Sequence, residues 1–294
     1  MRELKTRIGS VSSSEKITGA MKMISSAKVH KFEQALRRLL PYKNQIRSIM
    51  GHILQSGTTF SSPLIEEREV HHVGMVVFGS DDGLCGAYNM NIFKQFLVEI
   101  NAVRDAYGKD VAITVYPVGK KIAKAVEKIQ GNGINIERFE GVSSKMEGDR
   151  VTEFTSALRG KFISGDLDLV KVVYMQFQSI SRQRLTVDQL YPVSHKAIMA
   201  EAGEQGSGAD KLYIFEPDPN RIFNEVLPMY VLSLMQEITI ENRASEMAAR
   251  VMAMQSANDN AKKLLEGLQL EYNKLRQQGI TTELLDILGG QVER

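Results

Sequence analysis

The sequence predicts an α/β protein in which N- and C-terminal helices form a long antiparallel coiled coil joined to a Rossmann-like domain with a mainly parallel sheet. Three observations predict it. Both ends of the 294-residue chain carry apolar side chains at three- and four-residue steps, the spacing of one helix face. At the C-terminal end the steps alternate regularly enough to make heptads. The middle alternates β-branched, aromatic runs with helical ones, as βαβ units do. The chain therefore divides into a helix over 1–56, an α/β domain over 70–215 and a second helix over 220–288.

The first helix rests on Leu4, Ile8 and Val11, then Ala20, Ile24 and Ala27, then Phe32, Ala35, Leu36 and Leu39. Ser12, Ser13 and Ser14 interrupt the stripe, and Pro41 falls within it. A proline removes one backbone hydrogen bond and crowds the preceding turn. Because Tyr42, Ile46, Ile49 and Ile53 continue the periodicity, a kinked but continuing helix is expected.

In the middle, VGMVVFGS (73–80), VAITVYPVG (111–119) and LDLVKVVYMQFQS (167–179) read as strands. Helical stretches lie near 87–107, 119–130 and 150–164. SRQR (181–184) reads as a hairpin turn into LTVDQLYPVS, which would add an antiparallel edge strand, and GEQGSGAD (203–210) as a flexible loop.

The last helix is expected to start near Pro228, since proline suits a first turn. Met247, Val251, Met254, Asn258, Ala261, Leu265, Leu268, Tyr272 and Leu275 step by four and three. A seam of this kind coils about a partner helix. The only other long helix is the first, so the two ends of the chain are expected to pair.

Composition narrows the functions. The net charge of +2 gives no global signature of a nucleic-acid or membrane partner, and the lone Cys85 excludes an internal disulfide. No run of about 18 apolar residues is present to span a bilayer, and the N-terminus lacks the apolar core of a signal peptide. A soluble chain on the cytoplasmic side is expected. Charge is uneven, however. Residues 1–50 hold eleven Lys or Arg against three acids, whereas 227–294 hold seven against nine. The last helix thus cannot neutralise the first. The positive outer face is either a solvated surface or a contact for an acidic partner. Nucleic acid fits poorly, for stacking aromatics are sparse there and no nucleic-acid motif occurs.

Five segments carry a resemblance. ITGAMKMISSAK (17–28), SDDGLCGAYN (80–89), YIFEPDPNRIF (213–223), ENRASEMAARVMAMQSANDNAKKL (241–264) and ITTELLDILGG (280–290) are similar, in order and spacing, to segments of the γ subunit family of F-type ATP synthases. The resemblance covers essentially the whole chain. It implies a central rotating stalk, one copy per complex. The coil would stand inside a ring of three α and three β subunits, with the α/β domain on the c ring and beside ε. Proton flow would turn the c ring and γ with it, coupling transport to ATP synthesis and hydrolysis, while γ itself does no chemistry and needs no cofactor or metal. It would be peripheral, on the cytoplasmic face of the bacterial cell membrane, with no direct insertion and no nucleic acid bound.

The same resemblance implies site residues. Arg7, Lys16 and Lys22 would face an acidic loop of β, with Met21 at the coupling position and Met23 beside it. Arg250, Gln277, Thr281 and Glu283 would contact β and the upper bearing, and Asp81 and Tyr88 the ε and c subunits. Leu285 departs from the family's polar residue and makes the tip more apolar. Met21, Met23, Met252 and Met254 are adaptable side chains that suit either a changing interface or the core between helices, and Met254, on the seam, reads as core.

Other motifs carry less. GSDDGLCGAYN could cradle a phosphate, but neither G-x-G-x-x-G nor G-x-x-x-x-G-K-[ST] is present, so a tight turn with Cys85 packed inside is expected. His71 and His72 would point to opposite sides of an extended segment, which disfavours a metal site. An α/β enzyme that oligomerises through its coil, and a nucleic-acid-binding coiled coil, remain the alternatives.

Overall fold

The computed structural model describes residues 1–55, 60–131, 133–194 and 215–292. Among these residues five α-helices are seen: α1 (Arg2–Gln55), α2 (Tyr88–Tyr107), α3 (Lys120–Val126), α4 (Asp149–Ser164) and α5 (Pro219–Val292). Strands β1 (His72–Phe78), β2 (Ala112–Val118), β3 (Ile134–Ile136), β4 (Leu169–Phe177) and β5 (Gln183–Tyr191) form one sheet in the order β3-β2-β1-β4-β5. All neighbours pair in parallel except β4 with β5. The α/β architecture predicted from sequence is therefore observed. The segment GEQGSGAD lies outside the described residues.

Central β1 is buried along Val73–Phe78 because helices cover both sheet faces, as parallel strands require. One face meets α2 and α3 through Ile92, Phe96, Ile100 and Ile122. The other meets α4 through Phe154, Leu158 and Phe162. That second core also takes Ile46, Met50 and Ile53 of α1 and Phe223, Leu227, Val231 and Met235 of α5. The lower ends of the long helices are thus part of the α/β core, and only their upper parts form a free-standing coil. The predicted hairpin closes through Ser179 and Arg182, whose backbone groups bond reciprocally at 2.9 and 3.2 Å. Strand β3 has no counterpart in the sequence reading.

Helix α1 continues through Pro41, whose side chain is exposed. Helix α5 corrects the expectation for Pro228. It starts at Pro219, where the Asp218 carboxylate accepts from the Arg221 N–H at 2.9 Å, and Pro228 lies inside the helix. An acceptor just before a first-turn proline makes a complete start signal, which Pro228 lacks.

The seam of α1 also differs from expectation. Residues 4, 8, 11, 15, 18, 22, 25, 29, 32, 36, 39, 43, 46, 50 and 53 are the inward ones, an unbroken alternation of four and three. Ala20, Ile24, Ala27, Tyr42 and Ile49 face outward instead. Polar residues at 15, 18, 22 and 25 disguise the seam in the sequence.

Candidate partner-contact surface

Helices α1 and α5 run antiparallel, each seam residue opposite one of the other chain end. At the lowest free level the ring of Phe32 lies under the Arg243 guanidinium at 4.6 Å, with Val29, Met247, Ala248 and Val251 around it. Higher up, one polar pairing crosses the seam. The Asn258 side-chain amide donates to the Glu15 carbonyl at 2.6 Å and the Thr18 hydroxyl at 3.2 Å. Close approach is possible because Gly19 lies there; an added Cβ would come within 3.4 Å of that amide.

Continuing this register puts Met1 level with about residue 272 of α5. Every residue from Tyr272 to Leu285 except Tyr272 itself is exposed, so α5 overhangs its partner. At 1.5 Å per residue the overhang from 276 to 292 is about 25 Å of single helix. It presents Ile280, Leu284, Leu285, Ile287 and Leu288 to the surroundings.

The predicted contact residues separate into two groups. Arg7 and Lys16 are exposed on α1, Met23 is 73 % exposed beside exposed Ile17 and Ile24, Met21 is half-buried on the coil's flank, and Lys22 is half-buried at a seam position. Gln277, Thr281 and Glu283 are exposed on the overhang, where the Thr281 hydroxyl donates to the Gln277 carbonyl at 2.9 Å. Leu285 is 63 % exposed, Met252 is exposed, and Met254 is buried in the seam.

Arg250 and Tyr88 form the second group and lie inside the molecule. Arg250 is 6 % exposed; its Nε and Nη2 both donate to the Gly83 carbonyl at 3.2 Å, and Nη2 donates to Glu246 at 2.6 Å. Burial raises the Glu246 carboxyl above its ordinary range although Arg250 pulls the other way. Tyr88 is 3 % exposed, and its hydroxyl lies 2.5 Å from the Asn242 side-chain oxygen and 3.0 Å from the Asn242 carbonyl. The Asn242 amide in turn donates to Gly79 at 3.1 Å. The SDDGLCG turn is therefore a clamp that fastens the end of β1 to α5. Leu84, at φ +65°, projects from it and is exposed. Gly86, at φ +59°, supplies the left-handed backbone the turn needs beside α5.

The clamp also explains why the turn is not a phosphate cradle. Open parallel sheets bind ligands in the crevice beyond their strand ends. Here that space is occupied by the chain itself: the Asp81 carboxylate accepts from the Lys120 N–H at 2.9 Å, and the Ser80 carbonyl from the Lys121 N–H at 2.9 Å. Asp81 thus caps the short α3. Cys85 is buried beneath, and burial raises its thiol pKa. Among the described residues no cluster of His, Cys, Asp or Glu could hold a metal ion, and no helix is long and apolar enough to cross a membrane.

Sequence reasoning missed the charges at the coil's root. Lys43 is buried on the seam and pairs with Glu237 of α5. Glu241, one turn on, faces a 420 Å³ cavity between the coil and the β4–β5 edge that Asp188 and Tyr174 also line. Burial first, and then the charge of Glu237, push the Glu241 carboxyl up to about 8, against the pull of Lys43. The signal was present: stepping back from Ile53, Met50 and Ile46 by three lands on Lys43.

Comparisons with known proteins agree with this geometry. The sequence model of the family described as ATP synthase matches residues 1–292. The ATP synthase gamma chain of Bacteroides fragilis is 37% identical over 296 residues, covering 99% of each chain. That of Phocaeicola vulgatus is 38% identical over 293 residues, again covering 99% of each. Among solved structures, a chain of the Euglena gracilis mitochondrial ATP synthase, from an assembly of OSCP, F1 and c-ring, has a similar fold. Its TM-score is 0.61 at 20% identity, covering 99% of this chain and 93% of that one.

Proposed function

Since the chain belongs to the ATP synthase gamma chain family along its whole length, we propose that it is the central rotating stalk of an F-type ATP synthase, carrying torque between a membrane ion-driven ring and the catalytic head. The carrying observation is mechanical. Helix α5 runs unbroken from Pro219, in the α/β core, to Val292, in the single-helix tip. A turn imposed on the core moves the tip through one continuous helix, with α1 bracing it along the way. The asymmetry of two helices, then one, gives the shaft an off-centre profile that can press on surrounding subunits in sequence.

The stalk does no chemistry in this reading. The coil stands within three α and three β subunits, and the α/β domain stands on the c ring beside ε. The complex is membrane-associated, with this chain peripheral on the cytoplasmic face. Contacts with β and the bearing fall to Arg7, Lys16, Lys22, Met21 and Met23 and to Gln277, Thr281 and Glu283. Exposed ion pairs of about 0–1 kcal/mol suit a surface that must release each neighbour in turn. Arg250 and Tyr88 act from within, by holding the clamp, and Asp81 by capping α3. On the clamp's outer side the exposed Leu84 is the candidate for contact with ε or c.

Reconstitution tests this reading. The purified chain is mixed with its organism's α and β subunits, and light scattering and Mg-ATP turnover are read on the same fractions. One copy should join three α and three β, with sustained turnover that requires it. Failure to enter, with competent partners, would sink the assignment.

A further inference from the structure

Away from the coil, α4, the end of β5 and the first turns of α5 border a cleft of 190 Å³ that is open to solvent on one side. Its chemistry is one-sided. Thr152, Thr155, Ser156, Arg159 and Tyr191 line one side, Pro228, Met229 and Leu232 the other, and no acidic side chain lines it. Tyr191 is fully buried and its ring stacks on Phe162 at 5.2 Å, so the hydroxyl is fixed in direction. That hydroxyl has no hydrogen-bond partner among the described residues. A buried polar atom left so is costly, and it commonly marks a water or ligand position.

Arg159 is half-buried and has no ion-pair partner among the described residues. It lies close enough to Tyr191 to oppose the effect of burial on that phenol. The neighbouring threonines are already engaged: Thr155 donates to the Val151 carbonyl at 2.7 Å and Thr152 to the Gly148 carbonyl at 3.3 Å. Ser156, at the exposed mouth of the cleft, therefore remains as the second hydroxyl. One cation and two hydroxyl donors around a small space, without a carboxylate, form a receptor for an acceptor-rich anion.

We propose that this cleft is a binding site for a small oxyanion of the phosphate class, held by Arg159 and oriented by Tyr191 and Ser156. The volume suits a free anion, and the apolar wall of α5 limits its hydration. Because that wall is the stretch of α5 that enters the α/β core, occupancy would brace α4 against the base of the shaft.

Hydrogen exchange by mass spectrometry on the full-length chain tests this, read on fragments covering 150–164 and 186–193. Inorganic phosphate is titrated against chloride at matched ionic strength. Saturable protection of these fragments by phosphate alone is expected. Arg159→Gln should lose it, and Tyr191→Phe should raise the half-saturating concentration about tenfold, the scale of one hydrogen bond to a charged group. Circular dichroism confirms that each variant is folded, and Tyr191→Phe keeps the stacked ring. Protection equal in chloride, no protection at tens of millimolar phosphate, or an unchanged response in both variants would overturn the site, leaving a cleft that holds water.

Discussion

The Arg250 guanidinium and the Gly83 carbonyl meet through two 3.2 Å hydrogen bonds, linking helix α5 to a turn 167 residues earlier in the chain. Glu246, 2 % exposed, completes the arrangement. Arg250→Ala would leave both the carbonyl and the Glu246 carboxylate buried without their donor. A loss of about 3 kcal/mol is expected, read from urea denaturation. Arg250→Lys should recover only part, because an ammonium cannot reproduce the fork. A variant as stable as the parent, with normal assembly, would instead favour an outward role for Arg250.

Lys43 and Glu237 make a second internal link, between the two long helices. Lys43→Ala should cost about 3 kcal/mol, since Glu237 would then face Glu241 unopposed. The double change Lys43→Met with Glu237→Leu should restore most of the loss, because an apolar pair needs no desolvation. If the single and double variants are equally unstable, the charges are not what matters at this position.

Glu241 should make stability fall as pH rises. Its carboxyl is raised from its ordinary value of 4.5 to about 8 in the folded chain. Between those values the folded state holds a proton that the unfolded state has released. The contribution is whole below pH 4.5 and is lost as pH rises through about 8. Glu241→Gln mimics the protonated form, so the two proteins should match at about pH 4, where the carboxyl is protonated in both states, and diverge as pH rises. Near pH 9 the variant should be more stable by roughly 2 kcal/mol, a discounted use of 1.4 kcal/mol per unit. Parallel pH profiles of the urea midpoint would refute this.

The overhang should be dispensable for folding. Removing residues 276–294, of which 276–285 are exposed throughout, should shift the thermal midpoint of the free chain by less than about 1 °C. Assembly with α and β should persist through the remaining coil, while sustained ATP turnover falls several-fold. A large loss of midpoint would mean that the tip folds back on the coil.

The basic outer face should act through charge. Arg7→Glu with Lys16→Glu should slow association with the α and β subunits several-fold in dilute salt. The difference should shrink as salt approaches 0.5 M, where screening acts within a few ångströms. A salt-independent defect would point to packing instead.

The fold was legible wherever spacing carried it. Met247, Val251, Met254 and Asn258 are all buried as their heptad positions require. The α1 seam was misread because apolar identity was followed instead of spacing: Ile24 is exposed while Ser25 is 3 % exposed. β3 escaped because three residues after Gly133 carry too little pattern. At the contact surface, a matching motif identifies a segment but not the direction of a side chain. The burial of Arg250 and Tyr88 was unforeseen for that reason, although Arg250 adjoins Val251 on the seam and lies four residues after Glu246, a spacing that favours pairing.

The pairing of Glu15 and Thr18 with Asn258 joins residues 240 or more apart, so the coil cannot close until nearly the whole chain exists. At ~5–20 residues per second, synthesis of ~240 residues takes roughly 12–50 s. Through that interval the newborn α1 carries Val29, Phe32, Ile46, Met50 and Ile53 with no helix to cover them. Its eleven cations against three acids repel neighbouring copies, which keeps the waiting segment from clumping on the ribosome.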